Sequence, residues 1–123
     1  MSKRVNESDK YTFGMSQPLT SYVAVIFTSV RTFEHDEEYS QWAIRMSDLV
    51  TTQPGFISEV SARDPETRFG ITVSYFKDEE SVKKWKAVSE HQEAQRLGKQ
   101  KFYSEYSVKV ATVYREYEVS SDL

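Results

Sequence analysis

Between Tyr22 and Tyr117 the spacing of apolar residues switches from a period of two to a helical period and back, twice over, and that order restricts the chain to few folds. Tyr22 to Thr32 sets Val23, Val25 and Phe27 on one pleat face and Ala24, Ile26 and Val30 on the other, which reads as a strand buried on both sides. His35 to Thr52 changes to helical spacing and gathers Tyr39, Trp42, Ala43, Met46, Leu49 and Val50 on one face. Gln53-Pro54-Gly55 ends that helix, because proline disfavours the helical conformation before it and glycine accepts a left-handed turn. Phe56 to Arg63 then alternates Phe56, Ser58, Val60 and Ala62 against Ile57, Glu59, Ser61 and Arg63, and a turn at Asp64-Pro65-Glu66-Thr67 leads into a hairpin partner over Phe69 to Phe76.

Asp78 is suited to cap a second helix, along which Val82, Trp85, Val88, His91, Ala94 and Leu97 recur at every third residue. A strict period of three drifts around a straight helix, so a bend or break is expected near Val88 to Glu90, with Gly98 as the C-terminal cap. Tyr106 to Tyr117 returns to strand spacing.

Strand, helix, strand, strand, helix, strand is the split βαβ or ferredoxin-like order, an α+β fold with a four-stranded antiparallel sheet and both helices on one face. The opposite face is then bare. Since the first and last strands are apolar on both sides, a homodimer is the expected cover. The 123 residues suit one core. The expected boundaries are an N-terminal arm over 1–20, the domain over 21–118 and a tail over 119–123, the arm having Tyr11, Phe13, Met15 and Leu19 to lay on a neighbouring surface.

A net charge of -3 offers no basic stripe for nucleic acid. No apolar run approaches the roughly 20 residues that span a bilayer, and the polar residues Asn6, Glu7, Asp9, Lys10 and Gln17 interrupt any signal-peptide pattern, so neither membrane nor export is expected. The absence of cysteine removes thiolate chemistry and disulfides and is compatible with the cytoplasm. Consecutive residues at a helix start point in different directions, so His35-Asp36-Glu37-Glu38 reads as a charged N-terminus and no metal site is expected.

His91 is the one imidazole on an otherwise apolar helical stripe, where a neutral ring is a natural base for a phenolic or carbonyl-adjacent proton. The same residue also fits a partly buried histidine satisfied by Glu90 or by a backbone carbonyl. Trp85 and Phe76 are candidate walls for a flat ligand, but Trp85 reads first as a core residue, while Phe76 fits wall and packing alike. Tyr75, Tyr103 and Tyr106 are candidate phenolic donors to a substrate oxygen, with Tyr103 the one considered for a cavity wall; the competing reading is that they cover an edge of the sheet with the hydroxyl in water. Arg63 and Arg115 read as solvated strand residues rather than anion clamps, and Lys99, Lys101 and Lys109 as wet surface.

Three blocks in order, Tyr22-Val23-Ala24-Val25-Ile26-Phe27, Gln53-Pro54-Gly55-Phe56, and Gly70 to Asp78 followed by Ser81 and Trp85, resemble the antibiotic biosynthesis monooxygenase (ABM) family over nearly all of Tyr22 to Tyr117. A bacterial subgroup of unassigned reaction, with Glu90-His91, Ala94-Gln95 and Phe102-Tyr103 followed by Tyr106, is the most similar part of it. The resemblance implies a dimeric α+β barrel with a pocket between helices and sheet. In better-understood members of the family such a pocket oxidises a polycyclic phenol with O₂ and no cofactor, or binds and degrades haem. On that footing His91 is the candidate catalytic residue and Phe76, Trp85, Tyr103 and Gln95 are candidate substrate contacts. The haem-degrading branch has an Asn on the first strand, a Trp closing the third and a His on the second helical segment. Two of the three positions look wrong in this chain: its one Asn is Asn6, outside that strand, and Phe76 stands in the Trp position, while the His position falls near Gln95 with His91 one helical turn earlier. The alternatives are a haem or flat-aromatic binder without turnover, in which His91 serves as ligand, and a non-catalytic dimeric module.

Overall fold

A computed structural model of the chain describes residues 21–121. They divide between a compact unit, Val23–Ala111, and a second to which Tyr22 and the chain from Thr112 onward belong. In the second unit Tyr22 Oη donates to a Glu116 carboxylate oxygen, and Arg115 Nη1 donates to Tyr117 Oη at 3.1 Å. The expected arm over 1–20 lies outside the described residues.

The elements are β1 (Tyr22–Arg31), α1 (Asp36–Val50), β2 (Phe56–Arg63), β3 (Phe69–Phe76), α2 (Glu79–Ala87), α3 (Ser89–Leu97), a π-helical turn over Gly98–Phe102 and β4 (Tyr103–Val113). All four strands join one antiparallel sheet in the order β2-β3-β1-β4, the ferredoxin-like arrangement that the order of periodicities demands. Registers of Val25 and Glu59 opposite Ser74, and of Phe27 and Ser61 opposite Thr72, place these residues on one face. Ser47 of α1 donates to Glu59 across 3.3 Å, which identifies that face as the one beneath the helices.

One corner between sheet and helix, and one contact within the sheet, are fixed by glycine. Gly55 has φ +84°, and a Cβ there would lie 2.0 Å from Ser81 Oγ, so only glycine fits the turn that brings β2 against the start of α2. Asp78 closes the same corner by accepting from Ser81 N at 2.9 Å and from Ser81 Oγ at 2.6 Å, an N-cap worth about 1 kcal/mol. At the other end of the sheet Gly70 lies beneath the Arg63 guanidinium, whose carbon would stand 2.5 Å from an added Cβ.

The second helical segment breaks at Val88, whose ψ of 131° is extended. Each step of three residues falls about 60° short of a full turn at 3.6 residues per turn, so an unbroken helix would carry His91 and Leu97 away from the sheet. The break returns them. Gly98, however, is not a left-handed cap: it is right-handed helical (φ −58°, ψ −47°), and the chain continues through the π-helical turn. Its small size serves another contact, since the Tyr103 ring would lie 3.1 Å from a Cβ at this position.

The last strand also differs from expectation, running over Tyr103–Val113 rather than Tyr106 to Tyr117. Thr32 explains the early start. Its backbone N–H donates to Phe102 O and its hydroxyl to Lys101 O, each at 3.0 Å, so the chain enters the ladder beside the end of β1. The packed core consists of Val23, Val50, Phe76, Leu97 and Phe102 beneath the helices, together with Ala24. Phe76 is fully buried, edge-on to Phe56 with ring centroids 5.7 Å apart.

Candidate functional site

The helices do not lie flush on the sheet. A cavity of about 590 Å³ remains between them, within the size range of small-molecule sites. His91, Trp85, Phe76, Gln95 and Tyr103, separated by up to 27 positions in sequence, all reach its wall.

His91 projects from α3 with its ring stacked on Trp85, the centroids 4.2 Å apart and the planes 13° from parallel. Its Nδ1 is 3.0 Å from the Trp85 carbonyl oxygen. A carbonyl can only accept, so in the neutral ring Nδ1 carries the hydrogen and Nε2 keeps its lone pair. Burial pushes the imidazole below its ordinary pKa, against the opposing pull of the carbonyl bond, and the Lys86 charge adds to the lowering. The ring is therefore a neutral acceptor near pH 7. Of the partners expected for His91, the backbone carbonyl is the one found; the Glu90 carboxylate instead lies 3.5 Å from Arg45.

Trp85 is half-buried and lines the cavity alongside the His91 ring stacked on it. Phe76 reaches the wall while remaining fully buried, so packing and wall coincide in one side chain. Gln95 is exposed at the same cavity.

Tyr103 stands in an aromatic group, 5.3 Å from Phe27, 5.9 Å from Tyr39 and 6.0 Å from Tyr106 between centroids. Burial, and then the neighbouring Tyr39 phenol, push its pKa up, so its hydroxyl stays protonated at any pH the fold meets. Behind Tyr39 stand two arginines. Arg31, 3% exposed, lies 4.1 Å over the Tyr39 ring while donating to Phe102 O, Glu34 O and Asp36. Arg63 donates to Ser29 Oγ at 2.8 Å, to Arg68 O at 2.7 Å and to Tyr39 Oη at 3.4 Å. Arg63 is thus a tied structural residue and not the solvated one its sequence context suggests. Tyr106 also reaches the cavity, whereas Tyr75 pairs with Ala24 and Ser58 on the other sheet face.

The acidic run at the start of α1 disperses, as its spacing requires. Asp36 bonds Arg31 and Arg68, which hold its carboxyl below the usual carboxylate range, and Glu38 pairs with Lys101 at 2.8 Å. Asn6, the one asparagine, lies outside the described residues.

Sequence reasoning missed Tyr39 as a wall residue, and with it a polar floor made by Glu59, Ser61, Thr72 and Ser74. The available signal was the alternation itself, since Glu59 and Ser61 of β2 and Thr72 and Ser74 of β3 fall at every second residue; what it lacked was the side on which the helices lie.

No family model matches the chain. A Bacillus subtilis (strain 168) protein, YqjZ, described as uncharacterized, is 41% identical over 99 residues, which cover 80% of this chain and 85% of that protein. Among solved structures, an antibiotic biosynthesis monooxygenase is similar with a TM-score of 0.65 at 10% identity, covering 72% of this chain and 95% of its own. A variant of SnoaB, a cofactor-independent oxygenase from Streptomyces nogalater, is similar with a TM-score of 0.62 at 12% identity, covering 79% and 96%.

Proposed function

This chain belongs to the family of the Bacillus subtilis protein YqjZ, on the antibiotic biosynthesis monooxygenase fold, and from that premise we propose that it is a small cofactor-independent monooxygenase of an aromatic or quinol-like molecule. The observation that carries the reading is the neutral His91, whose Nδ1 is committed to the Trp85 carbonyl and whose Nε2 is left to accept a proton on the cavity wall. A solved neighbour on the same fold, SnoaB, is an oxygenase without a cofactor.

In this reading His91 Nε2 removes a proton from an acidic C–H of the substrate. The carbanion passes one electron to O₂, the two radicals join in a C–O bond, and the hydroperoxide anion recovers the proton from His91. Loss of water then leaves a carbonyl, so that CH₂ and O₂ become C=O and H₂O with no external reductant. Trp85 and Phe76 form flat walls and exclude water, Tyr103 donates to a substrate oxygen, and Gln95 borders the entrance.

A second copy of the chain covers the open sheet face, where Ile26, Val73 and Val60 stand abreast on three adjacent strands. A cytoplasmic location accords with the cysteine-free sequence.

Oxygen consumption with a panel of anthrone-like and quinol compounds tests the reaction. At least one should react, and His91→Ala should slow it about 100-fold or more. Inertness of every compound, or a His91→Ala rate equal to wild type, rejects it. A Soret shift on mixing with haem that is lost in His91→Ala would favour ligand binding without turnover.

A further inference from the structure

Glu59 is the one carboxylate on the cavity wall among the described residues, and nothing in the proposed reaction uses it. It sits on β2 with its side chain beneath the helices, where an apolar residue would ordinarily face the core. Two serines from different elements fix it: Ser74 of β3 donates to Oε2 at 3.0 Å and Ser47 of α1 donates to Oε1 at 3.3 Å. Among the described residues no ion pair engages Glu59, while Arg31, Arg45, Arg68, Arg96 and Lys101 all have carboxylate partners. An ionised carboxylate has about four acceptor positions and the serines fill two. The remaining lone pairs belong to the cavity.

An acceptor held in this way calls for a donor on the ligand. An ammonium group is disfavoured, because Lys86 and Lys99 stand on the same wall and outnumber the single carboxylate. A neutral hydroxyl meets the acceptor without adding positive charge. We propose that Glu59 is a specificity residue, the acceptor that anchors a hydroxyl group of the ring-bearing ligand at the floor of the cavity and discriminates against the corresponding ether. The inference rests on the cavity being a ligand site, as the functional reading holds, but not on the oxidation step.

Fluorescence titration under anaerobic conditions with dihydroxynaphthalene and with dimethoxynaphthalene separates the two. Wild type should bind the diol at least about tenfold tighter than the ether, since a hydrogen bond to a charged acceptor carries that much discrimination. Glu59→Gln should bring the two affinities within about threefold, because its amide is a weaker acceptor and offers a donor to the ether oxygen. Ser47→Ala keeps the carboxylate but removes one of the two hydrogen bonds that hold it in position, so the loosened acceptor should give an intermediate ratio, and the variant remains informative if Glu59→Gln does not fold. Equal binding of diol and ether by wild type, or a wild-type ratio in Glu59→Gln or in Ser47→Ala, overturns the role of Glu59. With His91-dependent turnover intact, either result leaves the oxygenase reading standing. Failure of both compounds to bind overturns the inference together with the use of this cavity.

Discussion

The two faces of the sheet invert the usual pattern. Beneath the helices, β2 and β3 present Glu59, Ser61, Thr72 and Ser74, while on the uncovered side the same strands present Val60, Phe69, Ile71 and Val73. A sheet with one solvated face normally carries its apolar residues toward the helices and its polar ones toward water. Here Val60 is 60% exposed, whereas Ser74 is buried. Each inversion has its own physical meaning. A polar floor under helices keeps the layers from closing onto one another and leaves hydrogen-bonding groups for a ligand. An apolar outer face is unfavourable in water unless something covers it. Departures of this kind from the pattern that best stabilises a monomer are where function is expected.

The difference between the faces can be broken by substitution. The largest effect is expected at the apolar end of the covered face, where Phe76→Ala should cost about 3–5 kcal/mol in urea unfolding. Val60→Ala on the outer face should cost less than about 1 kcal/mol in dilute protein; comparable losses at the two sites would mean that the faces do not differ as described.

Next comes self-association. Val73→Glu places a charge in the middle of the outer face, and it should raise the dimer dissociation constant about 100-fold or more in sedimentation equilibrium while the far-ultraviolet circular dichroism stays unchanged. Identical assembly of variant and wild type would remove the second copy as the cover.

A smaller effect is expected on the floor. Ser74→Ala deletes one hydrogen bond to Glu59 and should cost about 1 kcal/mol or less in the same urea experiment. A loss of several kcal/mol would make Ser74 a core residue rather than part of a ligand-facing surface.

The mildest test uses pH. His91 titrates below its ordinary value when folded, so the unfolded chain binds the proton first as pH falls. The stability contributed by the neutral ring is complete above about 6.5, the unfolded value, and is lost between there and the lower folded value. Wild type should therefore lose stability over that interval more steeply than His91→Gln, as followed by thermal melts at stepped pH. Parallel curves would mean that the ring is solvated.

Much of this architecture was legible in the residues. The bounds of β2 and β3 follow from alternation between Gly55 and Asp78, and the break at Val88 follows from a stripe of threes that a straight helix cannot keep on one side. Asp78 announces its helix because a short carboxylate before two glutamates and a serine has backbone donors to satisfy. His91, Trp85, Phe76, Tyr103 and Gln95 were found as candidates, and all five reach one cavity. Gly98 does stand at the C-cap, but its right-handed conformation was not legible, because a glycine after an apolar stripe has the same appearance whether it supplies a left-handed turn or room for a neighbouring ring.

What the residues settle alone is local: which segments are extended, which are helical, where turns need glycine, and the order that makes a split βαβ sheet. Those depend on backbone sterics and on periodicities of neighbouring side chains. Which face of the sheet the helices cover was decided only in three dimensions, because the alternation of β2 alone would turn Val60 inward, and the observed choice of Glu59 depends on connections and packing partners distant in sequence. With that choice came the polar floor, the tautomer of His91 fixed by the Trp85 carbonyl, and the ties of Arg63 to Ser29 and Tyr39, all of which depend on where separate elements come to rest.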